Sequence, residues 1–147
     1  MRVLTLLVGV ALLAALAASG LVAVAEAKAY PRLSKPQVKR AQSGVPRPAA
    51  KWAPLVNRYW SKYLWKVRDR RLTVNELHRA LWVIHYESGG NPRCVYRGHY
   101  GLFQCRLGHF RGRSPLRPVS NVATAAMLYA RRGWQPWAAT AYRPAPW

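Results

Sequence analysis

Acidic side chains are nearly absent from this chain. Its 147 residues include four Asp and Glu against 24 Lys and Arg, a net charge of +20. Chemistry that needs a pair of catalytic carboxylates is therefore disfavoured from the outset. Cysteine is scarce too. Cys94 and Cys105 are the only two, which excludes a disulfide-dense scaffold and a four-thiolate zinc site. His78, His85, His99 and His109 lack ligand spacing with those cysteines, so no metal is expected. There is no G-x-S-x-G, no H-E-x-x-H, no phosphate-cradling glycine loop and no internal repeat. No cofactor is implied.

The front of the chain reads as an export signal. Met1-Arg2 forms a short basic start, Val3 to Val24 is almost wholly apolar, and small residues at Ala23, Ala25 and Ala27 suit a signal peptidase. We assign residues 1–27 to a signal peptide, with an uncleaved membrane anchor as the alternative. Either way the remainder faces the outside, secreted or wall-associated. Loss of Arg2 and Glu26 leaves the net charge at +20. Such a field attracts polyanions: wall polymers, anionic lipid heads or nucleic acid. Residues 28–51 hold seven Lys and Arg, no acid, and Pro31, Pro36, Pro46 and Pro48. They read as a disordered basic linker, either a tether to an anionic wall or lipid surface or a plain spacer.

Residues 52–147 carry the expected folded domain, mainly α with a short β-ribbon. A first helix places Leu55, Tyr59, Tyr63 and Val67 on one stripe, with Pro54 in its first turn. A second begins at Thr73-Val74-Asn75-Glu76, a capping box that gives Glu76 a structural task. Its stripe is Leu77, Leu81 and Ile84, with Ala80 and Val83 beside it, and Gly89-Gly90-Asn91-Pro92 stops it. Across "CVYRGHYGLFQC" a ribbon turning near Gly98-His99 puts both cysteines equally far from the turn. Outside the cell, Cys94 and Cys105 are then expected to form a disulfide, contributing about 3 kcal/mol. A third helix, "VSNVATAAMLYARRG", buries Val122, Ala125, Ala126 and Tyr129. Trp134 and Trp137 are expected in the core rather than stacked on a ligand.

Glu87 follows Ala80, Val83 and Ile84 on one helical face. Apolar surroundings and the helix C-terminus both favour its protonated form, as a general acid requires. Glu87-Ser88-Gly89-Gly90-Asn91-Pro92 resembles the E-S-x-x-N-P motif of soluble lytic transglycosylase and resuscitation-promoting-factor type domains, members of the lysozyme-like superfamily. Gly101-Leu102-Phe103-Gln104 is similar to their G-L-[MF]-Q. Asn121-Val122 with Gly133-Trp134-Gln135-Pro136-Trp137 resembles their N-[IV]…G-W-x-P-W ending. The resemblance runs from about Trp52 to Trp137. It implies an α+β lysozyme-like fold, Glu87 as proton donor and acceptor, Ser88 supporting that carboxylate, Gln104 bonding sugar, and the Gly101 to Phe103 backbone lining the cleft. The family's A-Y-N-x-G segment is only echoed by Ala141-Tyr142-Arg143, so Tyr142 and Tyr129 compete for its role. Arg117-Pro118 and "CRLGHF" also depart from the pattern.

A glycosidase ordinarily places two carboxylates across the bond. Once residues 1–27 are set aside, only Asp69, Glu76 and Glu87 remain. Glu76 is engaged in a cap, and Asp69 is expected to pair with its Arg neighbours in "KVRDRR". A lytic transglycosylase, as the resemblance implies, manages with one. The expectation is a monomeric, exported enzyme cleaving peptidoglycan glycan strands to 1,6-anhydro ends. The alternatives are a hydrolytic muramidase of the same fold, a non-catalytic peptidoglycan-binding module, and a secreted cationic membrane- or nucleic-acid-binding protein. No motif specific for nucleic acid accompanies the charge.

Overall fold

Proline starts helices in this chain rather than stopping them. In the computed structural model, which describes residues 30–143, Pro36 lies in the first turn of α1 (Lys35–Gln42) and Pro48 in the first turn of α2 (Arg47–Ala50). A first-turn N–H has no intrahelical acceptor, so its absence in proline is harmless there. The Gln37 side chain accepts from the Ser34 N–H at 2.9 Å and closes the start of α1. The disordered linker expected over 28–51 is therefore corrected for residues 30–51, the part that is described. Ala41, Val45 and Ala49 are buried in the core, and Asn57 clasps the Leu33 backbone, accepting from its N–H at 3.1 Å and donating to its carbonyl at 3.0 Å. The His78 Nδ1 lies 2.9 Å from the Ala41 carbonyl while Trp82 Nε1 donates to His78 Nε2 at 3.1 Å. Together these bonds assign the proton to Nδ1, which donates to Ala41. The folded unit thus extends well before Trp52. The expected signal segment, 1–27, lies outside the described residues.

Helix α3 (Ala53–Arg68) buries Ala53, Val56, Asn57, Trp60, Ser61 and Leu64. This face is displaced by one position from the expected stripe. Leu55, Tyr59 and Tyr63 are only half-buried and Val67 is exposed. Both faces repeat at helical spacing, and the bulk of Trp60 selects between them: its ring stacks on Phe103 and Tyr129, at 4.9 and 5.8 Å between centroids. Asp69 ends the helix in a left-handed conformation, φ +49°, and does not pair with its Arg neighbours. The single ion pair among the described residues joins Arg70 to Glu76.

Helix α4 (Val74–Ser88) starts as its sequence dictates. Thr73 Oγ1 accepts from the Glu76 N–H at 3.2 Å, and Glu76 accepts from the Thr73 N–H at 2.9 Å. Leu77, Ala80, Leu81, Val83 and Ile84 are all buried, and Gly89 ends the helix at φ +61°. Helix α5 (Pro118–Arg132) is buried over most of its circumference and packs along α3. After a 3-10 turn (Gln135–Trp137), α6 (Ala138–Ala141) returns against α4. Trp134 and Trp137 are buried. Among the described residues no helix is long and apolar enough to cross a membrane.

The ribbon has three strands rather than two: β1 (Val95–Tyr96), β2 (His99–Tyr100) and β3 (Cys105–Arg106), antiparallel in that order. Arg97 and Gly98 both take positive φ, +47° and +77°, giving a tight two-residue turn that pairs Tyr96 with His99. The turn is one residue earlier than expected. Its consequence for the cysteines is larger. Cys94 accepts from Gly101 N–H on the β1 side of β2, whereas Cys105 pairs with Tyr100 from the β3 side. A strand lies between them, and both thiols are free. The expected disulfide is not formed.

Candidate active site

Glu87 is the penultimate residue of α4, so its position follows directly from where Gly89 ends that helix. The next wall is the Gly101–Gln104 turn, and three distant side chains hold it. Ser88 Oγ lies 2.9 Å from the Leu102 carbonyl, with the Ile84 carbonyl at 3.0 Å. Asn121, fully buried on α5, accepts from the Phe103 N–H at 2.9 Å and donates to the Tyr100 and Pro115 carbonyls. Trp137 Nε1 donates to the Phe103 carbonyl at 2.8 Å. Gly101 has φ +72°, and a Cβ there would overlap the Asn121 side chain. Only glycine meets both conditions. Gly90, φ +82°, is similarly pressed against the Pro48 carbonyl, so the docked N-terminal segment braces the turn beside Glu87.

Glu87 and Gln104 line one groove, of about 530 Å³, together with Tyr86, Tyr96, His99 and Cys94. Glu87 is half-buried. Its Oε1 accepts from Thr140 Oγ1 at 2.7 Å. Gln104 has a left-handed backbone, φ +46°. Its amide nitrogen donates to the Cys94 and Gly101 carbonyls at 3.1 and 2.9 Å. Those two acceptors fix the amide's orientation and leave Oε1 buried without a donor. Tyr96 is 61 % exposed, with the Arg97 guanidinium 5.2 Å from its ring centroid.

The residues anticipated from sequence separate into two sets. Glu87 and Gln104 come together. Ser88 does not bond the Glu87 carboxylate; it ties the end of α4 to the 101–104 turn instead. Gly101 and Phe103 are buried, and the Phe103 ring lies in the core between Trp60 and Trp137 rather than on the groove wall. Tyr129 is buried and donates to Glu76, away from Glu87. Tyr142 is exposed, with the Arg79 guanidinium 5.3 Å from its ring centroid, in a different depression. Cys94 lines the groove. Cys105 is buried, and burial, reinforced by the Glu87 carboxylate, pushes its thiol up to about 12. That thiol stays protonated and unreactive.

Thr140, Tyr86, Tyr96 and His99 were not anticipated. Tyr86 adjoins Glu87 in sequence and offered a weak signal. Thr140 offered none, being 53 residues away.

Glu76 belongs to a separate cluster. Burial pushes its carboxyl up, but hydrogen bonds from Arg70, Tyr129 and Thr73 together outweigh that and hold it at about 2. Glu76 precedes Glu87 by eleven residues on one helix, about 16 Å along the axis at 1.5 Å per residue. Neither Glu76 nor Asp69 lines the groove. Among the described residues no three His, Cys, Asp or Glu side chains are placed to hold a metal ion. No family model, curated protein or solved structure matches the chain.

Proposed function

We propose that this protein is an exported, lysozyme-like lytic transglycosylase that cleaves peptidoglycan glycan strands with Glu87 as its one acid–base group. The observation that carries the reading is the isolation of this carboxylate. Glu87 stands in a groove beside Gln104, steadied by Thr140, while the next carboxylate on its helix belongs to a cap eleven residues earlier, about 16 Å along the axis, and does not line the groove. Carboxylate pairs that serve glycoside hydrolysis stand roughly 5 to 9.5 Å apart. A reaction needing a single carboxyl suits this groove.

In that reaction the Glu87 carboxyl protonates the oxygen bridging N-acetylmuramic acid to N-acetylglucosamine. The C1–O bond of the muramic residue breaks. Its own C6 hydroxyl closes onto C1 and returns a proton to the Glu87 carboxylate, leaving a 1,6-anhydro end. The Thr140 hydroxyl positions the carboxylate. Tyr86 and Tyr96 offer aromatic walls, and an aromatic ring packs well against the apolar face of a sugar.

Glu87→Gln tests the reading: turnover of purified peptidoglycan drops by about 10²-fold or more. Mass spectrometry of the wild-type digest shows anhydro-muramyl ends. Undiminished cleavage by the variant refutes the assignment of Glu87, and reducing ends in place of anhydro ends refute the transglycosylase outcome. The +20 charge favours one second reading, a general polyanion binder. Steeply salt-dependent binding to DNA without affinity for glycan would select it.

A further inference from the structure

A second depression, of about 580 Å³, adjoins the Glu87 groove and shares His99 and Gln104 with it. Arg106, His109, Arg132 and Trp137 also line it, and no acidic residue does. The two arginines have only neutral partners: Arg106 Nε lies 3.4 Å from His99 Nε2, and Arg132 Nε donates to Gln135 Oε1 at 3.2 Å. Since the single ion pair of the described residues is Arg70–Glu76, both charges are uncompensated. Gln104 stands where the two depressions meet, 8 % exposed, with Oε1 lacking a donor. A buried acceptor without a partner is unfavourable, and a ligand that supplies an N–H or hydroxyl removes the penalty.

These features are complementary to one kind of occupant. We propose that the second depression binds a carboxylate-bearing stretch of the same glycan strand, with Arg106 and Arg132 pairing the carboxylate and Gln104 accepting from an adjacent amide or hydroxyl. The inference rests on the glycan-cleaving reading and deepens it. The two arginines would make the enzyme discriminate acidic from neutral glycan, whereas Glu87 performs the cleavage. Guanidinium groups suit this task because they form charge-assisted, often paired hydrogen bonds to a carboxylate.

The test measures binding by calorimetry to the full chain carrying Glu87→Gln, so that the ligand is not consumed. Two probes are used: a soluble glycan oligomer with free lactyl carboxylates, and the same oligomer with those carboxylates methyl-esterified. The double variant Arg106→Gln/Arg132→Gln is compared with a charge-matched control on the N-terminal helices, Arg40→Gln/Arg47→Gln, whose side chains are exposed. The inference expects the first double variant to bind the acidic oligomer roughly tenfold or more weakly, with the esterified oligomer and the control unaffected. It is overturned if the first variant and its parent bind the acidic oligomer alike, or if the control weakens binding equally, which would indicate general charge attraction. In those outcomes Glu87-dependent cleavage still stands. If the parent binds neither oligomer, the inference fails together with the reading beneath it.

Discussion

Acid should unfold this protein through one carboxyl. Most proteins carry many native carboxylates whose protonation merges into a single acid transition, but here the described residues hold only Asp69, Glu76 and Glu87. Of these, Glu76 is held at about 2 against an ordinary 4.5. A depressed folded-state value means stability that is complete above the unfolded value and disappears as pH falls toward the folded one. The relevant window is therefore pH 5 down to 2. At about 1.4 kcal/mol per pH unit of displacement the full effect is about 3 kcal/mol. The Glu76 side chain is 16 % exposed but its Arg70 partner 45 %, so solvent screening reduces this to about 2 kcal/mol. The assay is urea unfolding of wild type and Glu76→Gln at intervals from pH 7 to 2. Glutamine keeps a capping-box acceptor, so the variant retains the helix start while losing the charge. Wild type should lose about 2 kcal/mol across the window, and the variant should start lower and show a flatter profile. Equal acid-induced losses in the two proteins would refute the coupling of Glu76 to Arg70 and Tyr129.

Further outcomes follow from single contacts. Thr140→Val removes the hydroxyl that bonds Glu87; cleavage should fall about tenfold, chiefly in kcat, while denaturant titration shows a stability loss of no more than about 1.5 kcal/mol, the contribution of one hydrogen bond to a carboxylate. Asn57→Ala releases both bonds to Leu33 and should destabilise the fold by about 2 kcal/mol in denaturant titration, whereas a disordered 28–51 segment would leave stability unaltered. Thiol counting should find two free thiols in denatured protein and one reactive thiol, Cys94, in native protein, because Cys105 is buried and protonated. A mass lower by two hydrogens would indicate the disulfide instead.

Whatever depends on neighbours three or four residues apart was legible in the chain itself. The Thr73–Glu76 box, the Leu77–Ile84 stripe, the Gly89 stop and hence the placing of Glu87 at a helix end all obey local backbone geometry. The burial of Trp134 and Trp137 was legible too, from the apolar bulk of their rings. Periodicity alone failed on α3, where two adjacent stripes share one spacing and only the contacts of Trp60 choose between them. Proline was ambiguous for a related reason: the same residue breaks a helix from within and begins one at its first turn, and the surface awaiting α1 and α2 lies on another part of the chain. The cysteines were misjudged because their sequence distance is silent about the strand that lies between them. Thr140 meeting Glu87, Tyr129 meeting Glu76 and the two depressions joining at Gln104 are likewise decisions of tertiary packing. Local sequence determines which atoms an element offers and on which face; which distant atoms meet them depends on how all the elements fill one core together.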